Sequence, residues 1–396
     1  MSDKEEDSFS SEGDRSREEV QAEIGEVNRG INFNTKILVT GGNGYLGSHI
    51  VKTLLDQDFS VKVSVKDLSD QDKYAHLKAL PNSHRLEIVE GKLTEKDSWE
   101  AILSGCGAVI HCASPVPFKA PKQELEVIYP AVEGTLAILQ AAVNLGINRI
   151  IMTSCFSSIK GGKYKLAYNE DSWGEPQNVS SIERSKIFSE RAAWFFHKEN
   201  PNKFALTTIC PGFLLGPCLQ NQCDFSSGQF FERLIDGKMT NLLKLHMPVC
   251  DVRDAAMIHV NALGLKSTED NRYICAEGSY WFEQFSTILS QKFEPIGFDF
   301  PTKTISAFPL RIISMFDSNV RQMLPFYDKE IYFSNERTKK DFCDYKFRKF
   351  EDTIKDMGIC FMEKGFISRV KLTAEEEVDK QNTEFLVDED RNDNFE

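Results

Sequence analysis

Residues 36–55 read KILVTGGNGYLGSHIVKTLL, and a change of periodicity inside that stretch decides the fold. Ile37, Leu38 and Val39 form a short run of strand formers that ends at a turn. Beyond the turn, Leu46, Ile50, Val51, Leu54 and Leu55 recur at three- and four-residue intervals, which is one face of a helix. Between the two, Gly41, Gly44 and Gly47 stand where a chain turns tightly, lets bare backbone approach a ligand and packs a helix against a strand. Strand, glycine turn and helix in that order present free backbone N–H groups at the positive end of a helix dipole. That arrangement receives the pyrophosphate of a dinucleotide. Three glycines alone would fit a plain surface turn equally well, and the flanking elements favour the dinucleotide.

Outward from this stretch, strands and helices alternate as far as Leu215. Residues 61–65, 85–89, 108–111, 148–153 and 205–210 read as further strands, and 130–145 as a long helix. Such alternation implies an α/β fold, a Rossmann-type doubly wound parallel sheet with its ligand at the carboxyl ends of the strands. Beyond Gly216 the pattern loosens, and residues 217–330, with part of 331–370, are expected to form a smaller C-terminal substrate lobe. There Phe225, Phe230, Phe231, Trp281 and Phe282 could line a pocket or form core, and core is the simpler reading.

The net charge of −13 is carried by the two ends. Residues 1–30 hold ten acidic and four basic side chains and residues 371–396 hold ten and three, so the body between them is neutral. Residues 1–33 and 371–396 are therefore expected to be acidic disordered tails flanking one domain over 34–370. Phe9, Phe385, Leu386 and Phe395 within the tails are candidate anchors for a protein partner. A chain trimmed to 31–370 should melt within a few degrees of the full chain in calorimetry, and a much lower midpoint would mean that the tails are packed. Nothing in the charge pattern suggests a nucleic-acid partner. No apolar run of about 18 residues is evident, so no membrane span is expected. The start, MSDKEEDSFSSEGD, is unlike a signal or transit peptide, so a cytoplasmic protein is expected. The ten cysteines lack short paired spacings and read as reduced thiols; Cys218 and Cys223 have no second Cys or His pair nearby, so no metal site is expected.

TGGNGYLG, HCASP, VEGTLAILQAA, RIIMTS, SKIFSERAAW, CPGFLLGP and VCDVRDAAMIHVNAL follow one another here in an order and spacing that resemble the extended short-chain dehydrogenases/reductases, within the NAD-dependent epimerase/dehydratase superfamily. The resemblance spans about residues 35–370 and is nearest to the dihydroflavonol-reductase and cinnamoyl-CoA-reductase branch. It implies that Gly41, Gly44, Tyr45, Leu46 and Gly47 meet the pyrophosphate. It also implies that Ala113, Ser114 and Pro115 flank the nicotinamide ribose, and that Pro211 and Gly212 back the ring. Lys66 and Lys73 match the branch's basic pair for a 2′-phosphate. The implied cofactor is therefore NADP(H) rather than NAD(H), since a cation suits a phosphate where a carboxylate would bond a free ribose hydroxyl. The branch's Asp-Leu at the adenine is Lys92-Leu93 here, so Leu93 keeps its position while a charged lysine cannot accept the adenine amino group.

The resemblance also sets the catalytic expectation, a Tyr-x-x-x-Lys pair with a serine, acting on a small carbonyl substrate. Here Lys186 is present, Ile182 stands at the tyrosine position and Cys155 at the serine position, flanked by Ser154 and Ser157. Isoleucine has no proton to give and a thiol is a weak donor. Tyr164 and Tyr168 lie at least eighteen residues before Lys186, too far to share its helix face. The chain is expected to bind NADP(H) with weak or no reductase activity and a structural or sensory role, or else to reduce carbonyls with a substituted proton donor.

Overall fold

A computed structural model describes residues 31–367 apart from 33, 116–120, 122 and 237–238, and apart from the side chain at 319. Both acidic tails thus lie outside the described residues except for Ile31 and Asn32, and Ile31, placed in the tail by its sequence, is buried in the core.

In chain order the strands are β1 (Lys36–Thr40), β2 (Ser60–Val65), β3 (Leu86–Glu90), β4 (Ala108–His111), β5 (Arg149–Thr153), β6 (Ala167–Tyr168), β7 (Ala205–Pro211), β8 (Phe213–Leu215), β9 (His246–Asp251), β10 (Asn271–Cys275), β11 (Gly278–Trp281) and β12 (Tyr332–Phe333). The helices used below are α1 (Tyr45–Asp56), α2 (Leu125–Asn144), α3 (Phe156–Lys160), α4 (Ser181–Glu199), α5 (Ser226–Ile235), α6 (Val252–Gly264), α7 (Phe282–Phe293) and α8 (Phe350–Glu363).

Seven strands form one parallel sheet in the order β10-β7-β5-β4-β1-β2-β3. The chain winds outward through β2 and β3, then returns to the other side of β1 and winds outward through β4, β5, β7 and β10. The direction of winding reverses between β1 and β4, where Thr40 pairs with His111, and in open sheets of this kind the ligand crevice lies beyond the carboxyl ends of the strands at that point. Ile37, Leu38, Val39, Val109 and Ile110 are fully buried there, as expected of strands covered on both faces.

Two sequence expectations need correction. The long helix starts at Leu125 and runs through Pro130 rather than beginning there. Val127 and Ala131, one turn apart on the buried face, carry it past the proline, which forfeits one backbone hydrogen bond. By length and composition alone the same 20-residue helix could cross a membrane, but Glu126 and Glu133 interrupt its apolar run, and Val127, Ala131, Gly134, Thr135, Ile138, Leu139, Ala141 and Ala142 are buried inside the fold. Finally, residues 252–275 do not belong to the lobe. α6 packs on α1 and on the main sheet, burying Val252, Ala255, Ala256, His259, Val260 and Leu263, and β10 is the outermost strand of that sheet.

The lobe is held by a small sheet, β11-β9-β8, with α7 and α8 packed beneath it. Phe350, Ile354, Met357 and Phe361 repeat at helical spacing along α8 and are buried against Phe285, Leu289 and Phe293 of α7 and its neighbours. Phe231 and Phe282 are likewise core.

Candidate functional site

The glycine turn and the end of β4 are in van der Waals contact. A Cβ on Gly41, whose φ is +65°, would lie 2.9 Å from the Ala113 Cα, and one on Gly47 would lie 2.3 Å from the Gly41 carbonyl oxygen. Only glycine fits either place. Gly44, at the N-cap of α1, is exposed. Tyr45 and Leu46 are buried, and the Tyr45 hydroxyl donates to the Gly216 carbonyl at 2.8 Å, so neither side chain is open to a ligand.

The opposite wall is fixed by a buried polar chain. The Thr40 hydroxyl accepts the N–H groups of Cys112 and Ala113, both at 3.1 Å, and must therefore donate to His111 Nδ1, 2.7 Å away. His111 then carries its proton on Nε2, 3.0 Å from Thr135 Oγ1. Burial, assisted by the charge on Lys186, lowers its pKa to about 3, so it stays neutral. Ala113, Ser114 and Pro115 follow in the half-buried loop this chain anchors. Pro211 ends β7, and a Cβ on Gly212 would lie 2.6 Å from the Pro248 carbonyl oxygen, so that wall too is backbone packed on backbone.

At the outer end of the crevice, Lys66 is exposed and makes no hydrogen bond or ion pair among the described residues. Lys73 is not free in the same way: its Nζ lies 2.5 Å from Asp224 Oδ2. Asp67 turns back on Ser69, accepting its N–H at 2.8 Å and its hydroxyl at 2.6 Å. Lys92 is held by Glu90 at 2.7 Å and Glu95 at 3.3 Å, while Leu93 packs on Gly134 of α2.

At the inner end stand Cys155, the N-cap residue of α3, and Ile182 and Lys186, one turn apart near the start of α4. All three are half-buried. Burial lowers the Lys186 pKa, and the neighbouring thiols of Cys155 and Cys112 oppose that shift. Burial raises the Cys155 pKa, with Lys186 opposing, and pushes Cys112 up to about 12. Both thiols are therefore protonated at neutral pH. Lys186 makes no hydrogen bond or ion pair among the described residues.

The side chains that could substitute for the missing donors are engaged elsewhere. Ser154 donates to Glu190 Oε2 at 2.7 Å and Ser157 to Glu183 Oε1 at 3.0 Å, both buried. Tyr164 donates to the Glu330 carbonyl at 3.1 Å and Tyr168 to the Lys163 carbonyl at 2.8 Å. Thr153 donates to Nε2 of buried His259, 2.9 Å away, because Nδ1 of that ring bonds the Ala255 carbonyl at 2.7 Å. The His111 and His259 supports, and the Asp224 contact, have no signature in local sequence spacing.

A model of the NAD dependent epimerase/dehydratase family matches residues 37–275. Tetraketide alpha-pyrone reductase 1 of Arabidopsis thaliana is 30% identical, over 73% of this chain and 95% of its own. An anthocyanidin reductase of Vitis vinifera, (2S)-flavan-3-ol-forming, is 29% identical over 67% of this chain and 85% of its own. Among solved structures, yeast methylglyoxal/isovaleraldehyde reductase complexed with NADPH has a TM-score of 0.70 at 22% identity, covering 84% of this chain and all of that one. Vestitone reductase from alfalfa has a TM-score of 0.66 at 26% identity, covering 84% and 99%.

Proposed function

The chain belongs to the NAD dependent epimerase/dehydratase family, and on that footing we propose that it binds NADP(H) in the crevice between β1 and β4 while reducing carbonyls weakly or not at all. The glycine turn that excludes any Cβ, the exposed Gly44 and the unpaired Lys66 fit a 2′-phosphorylated dinucleotide. When bound, that cofactor supplies a hydride. The chain's part would be to hold the substrate oxygen and protonate it as the hydride arrives.

One observation carries the reading of weak catalysis: the cation Lys186 is in place, but its neighbours are Ile182 and Cys155, and the serines and tyrosines nearby are bonded elsewhere. Absence of a positioned general acid costs about 10²–10⁴ in rate. A cofactor-bound protein with little turnover suits a structural or sensory role, in which the acidic tails of a cytoplasmic protein serve as contacts for a partner. Purified protein should bind NADPH yet oxidise it no faster with a panel of aldehydes and ketones than without. Sustained turnover at ordinary enzymatic rates would overturn this reading.

The second reading, an active reductase, draws support from the relatives, which are named as reductases, and from the Cys155 thiol beside Lys186. Under it, Cys155→Ala would abolish turnover.

Both readings place the 2′-phosphate at Lys66 and Lys73. Replacing both lysines by Ala should weaken NADPH by about 1.5–3 kcal/mol per lost phosphate contact and leave NADH nearly unchanged. Equal losses for the two nucleotides in calorimetry would remove the basis for preferring NADP(H).

A further inference from the structure

The segment from Gly216 to Phe225, which leaves β8 for the lobe, returns across the glycine turn. Its first residues are tied to α1: Gly216 accepts the Tyr45 hydroxyl at 2.8 Å, and the Pro217 carbonyl lies 2.9 Å from His49 Nε2. Its middle reaches the turn itself, where the buried Gln220 amide donates to the Asn43 carbonyl and the Ser48 hydroxyl, both at 3.3 Å. On its other side, Cys218 N–H meets Cys360 Sγ at 3.2 Å and Lys364 donates to the Leu219 carbonyl at 3.4 Å. The Phe225 ring stacks on Tyr45, centroid to centroid 3.9 Å and 12° from parallel. Anchored on both sides, the segment delivers Asp224 to Lys73 Nζ at 2.5 Å.

We infer that Asp224 is a specificity-determining residue of the dinucleotide site: it occupies Lys73 and competes with the ribose 2′-phosphate for that cation. The inference rests on the reading that Lys66 and Lys73 face the 2′-phosphate. A phosphate dianion arriving at Lys73 meets a carboxylate already bonded there, and the two anions repel. Lys66 offers the phosphate an uncontested charge; Lys73 offers one only when Asp224 lets go. The fixed points of the segment lie before and after Asp224, at Gln220 and at the Phe225 ring, so release needs only a side-chain movement. NAD(H), with no 2′-phosphate, leaves the ion pair intact. The chain therefore discriminates less between the two dinucleotides than a pair of free lysines would.

Asp224→Asn removes the charge and keeps the shape, and both side chains of the pair are about one third exposed, 38% and 36%, so the fold should tolerate it. Calorimetric titration of the full chain with NADPH, with 2′,5′-ADP and with NADH tests the idea. In the variant, NADPH and 2′,5′-ADP should bind about tenfold more tightly than in the parent, with the gain shrinking at high salt, and NADH should change by less than about twofold. Lys73→Ala in the Asp224→Asn background should erase that gain. If the variant binds NADPH no more tightly than the parent, or gains equally for NADH, the role of Asp224 is wrong although the dinucleotide site stands. If neither protein binds any of the three ligands, the dinucleotide reading fails, and this inference with it.

Discussion

Ile182→Tyr combined with Cys155→Ser should raise carbonyl-dependent NADPH oxidation by about 10²–10⁴ over the parent, the factor a positioned general acid typically supplies. Position 182 lies four residues before Lys186 on α4, so a tyrosine there shares the lysine's helix face, and Lys186 has no hydrogen-bond or ion-pair partner among the described residues. A nearby ammonium favours the phenolate and lowers the tyrosine's pKa towards the operating range. Cys155 sits at the N-cap of α3 beside Lys186, and a serine there puts a stronger donor at the same carbonyl oxygen. Neither single change restores the full set, so each should give a smaller gain than the pair. NADPH oxidation with a carbonyl panel, measured for the parent, both singles and the double, checks this. A parent already fast and indifferent to Ile182→Tyr would show that the catalytic positions are misassigned. Four inert proteins that all bind NADPH would shift the weight to a purely structural role.

The strands were legible where burial on both faces writes an unbroken apolar run. Ile37 to Val39 and Ala108 to Ile110 are such runs, and the sequence places those strands within a residue of where they lie. β10 was missed for a physical reason. Its sequence, NRYIC, puts Arg272 into the interior, where an ion pair rather than a hydrocarbon satisfies the position, so the run is broken on paper but not in the fold. The sequence puts the start of α2 at Pro130 because proline reads as a helix start, whereas tertiary burial of the preceding turn extends the helix back to Leu125. At the candidate site, Gly41, Gly44, Gly47, Cys155, Ile182 and Lys186 are positions that short local motifs single out. Pairings across long stretches of chain are not. Nothing near Lys73 announces Asp224, and nothing near Ser154 or Ser157 announces that Glu190 and Glu183 of α4 claim their hydroxyls. Those distant pairings decide whether a side chain is available to the chemistry.

Arg272→Met should destabilise the fold by about 3–5 kcal/mol, the usual consequence of removing one partner from a buried ion pair. Arg272 Nε lies 2.8 Å from Glu190 Oε1, and its NH1 donates to the carbonyls of Glu170 at 2.9 Å and Ser172 at 2.7 Å. Its guanidinium also lies over the Trp173 ring, 3.6 Å from the centroid. Burial pushes the Glu190 carboxyl up, but the charge of Arg272 and hydrogen bonds from Arg272, Ser154 and Thr208 hold it below the usual carboxylate range. Its contribution to stability is thus present at neutral pH and is lost as the pH falls through that depressed value. With methionine at 272, Glu190 keeps only the Ser154 and Thr208 hydroxyls and the weak Cys210 thiol donor at full burial, so its pKa should rise and the variant's deficit should shrink as the pH falls towards 4. Glu190→Gln added to Arg272→Met removes the orphaned charge and should recover part of the loss. Urea unfolding at pH 7 and at pH 4, for the parent, the single and the double variant, measures each term. A loss below about 1 kcal/mol for Arg272→Met at pH 7 would mean that water or a shifted backbone satisfies Glu190. Ser154 would then be held less firmly than its 2.7 Å bond implies, and a hydroxyl beside Cys155 would be free to face the crevice.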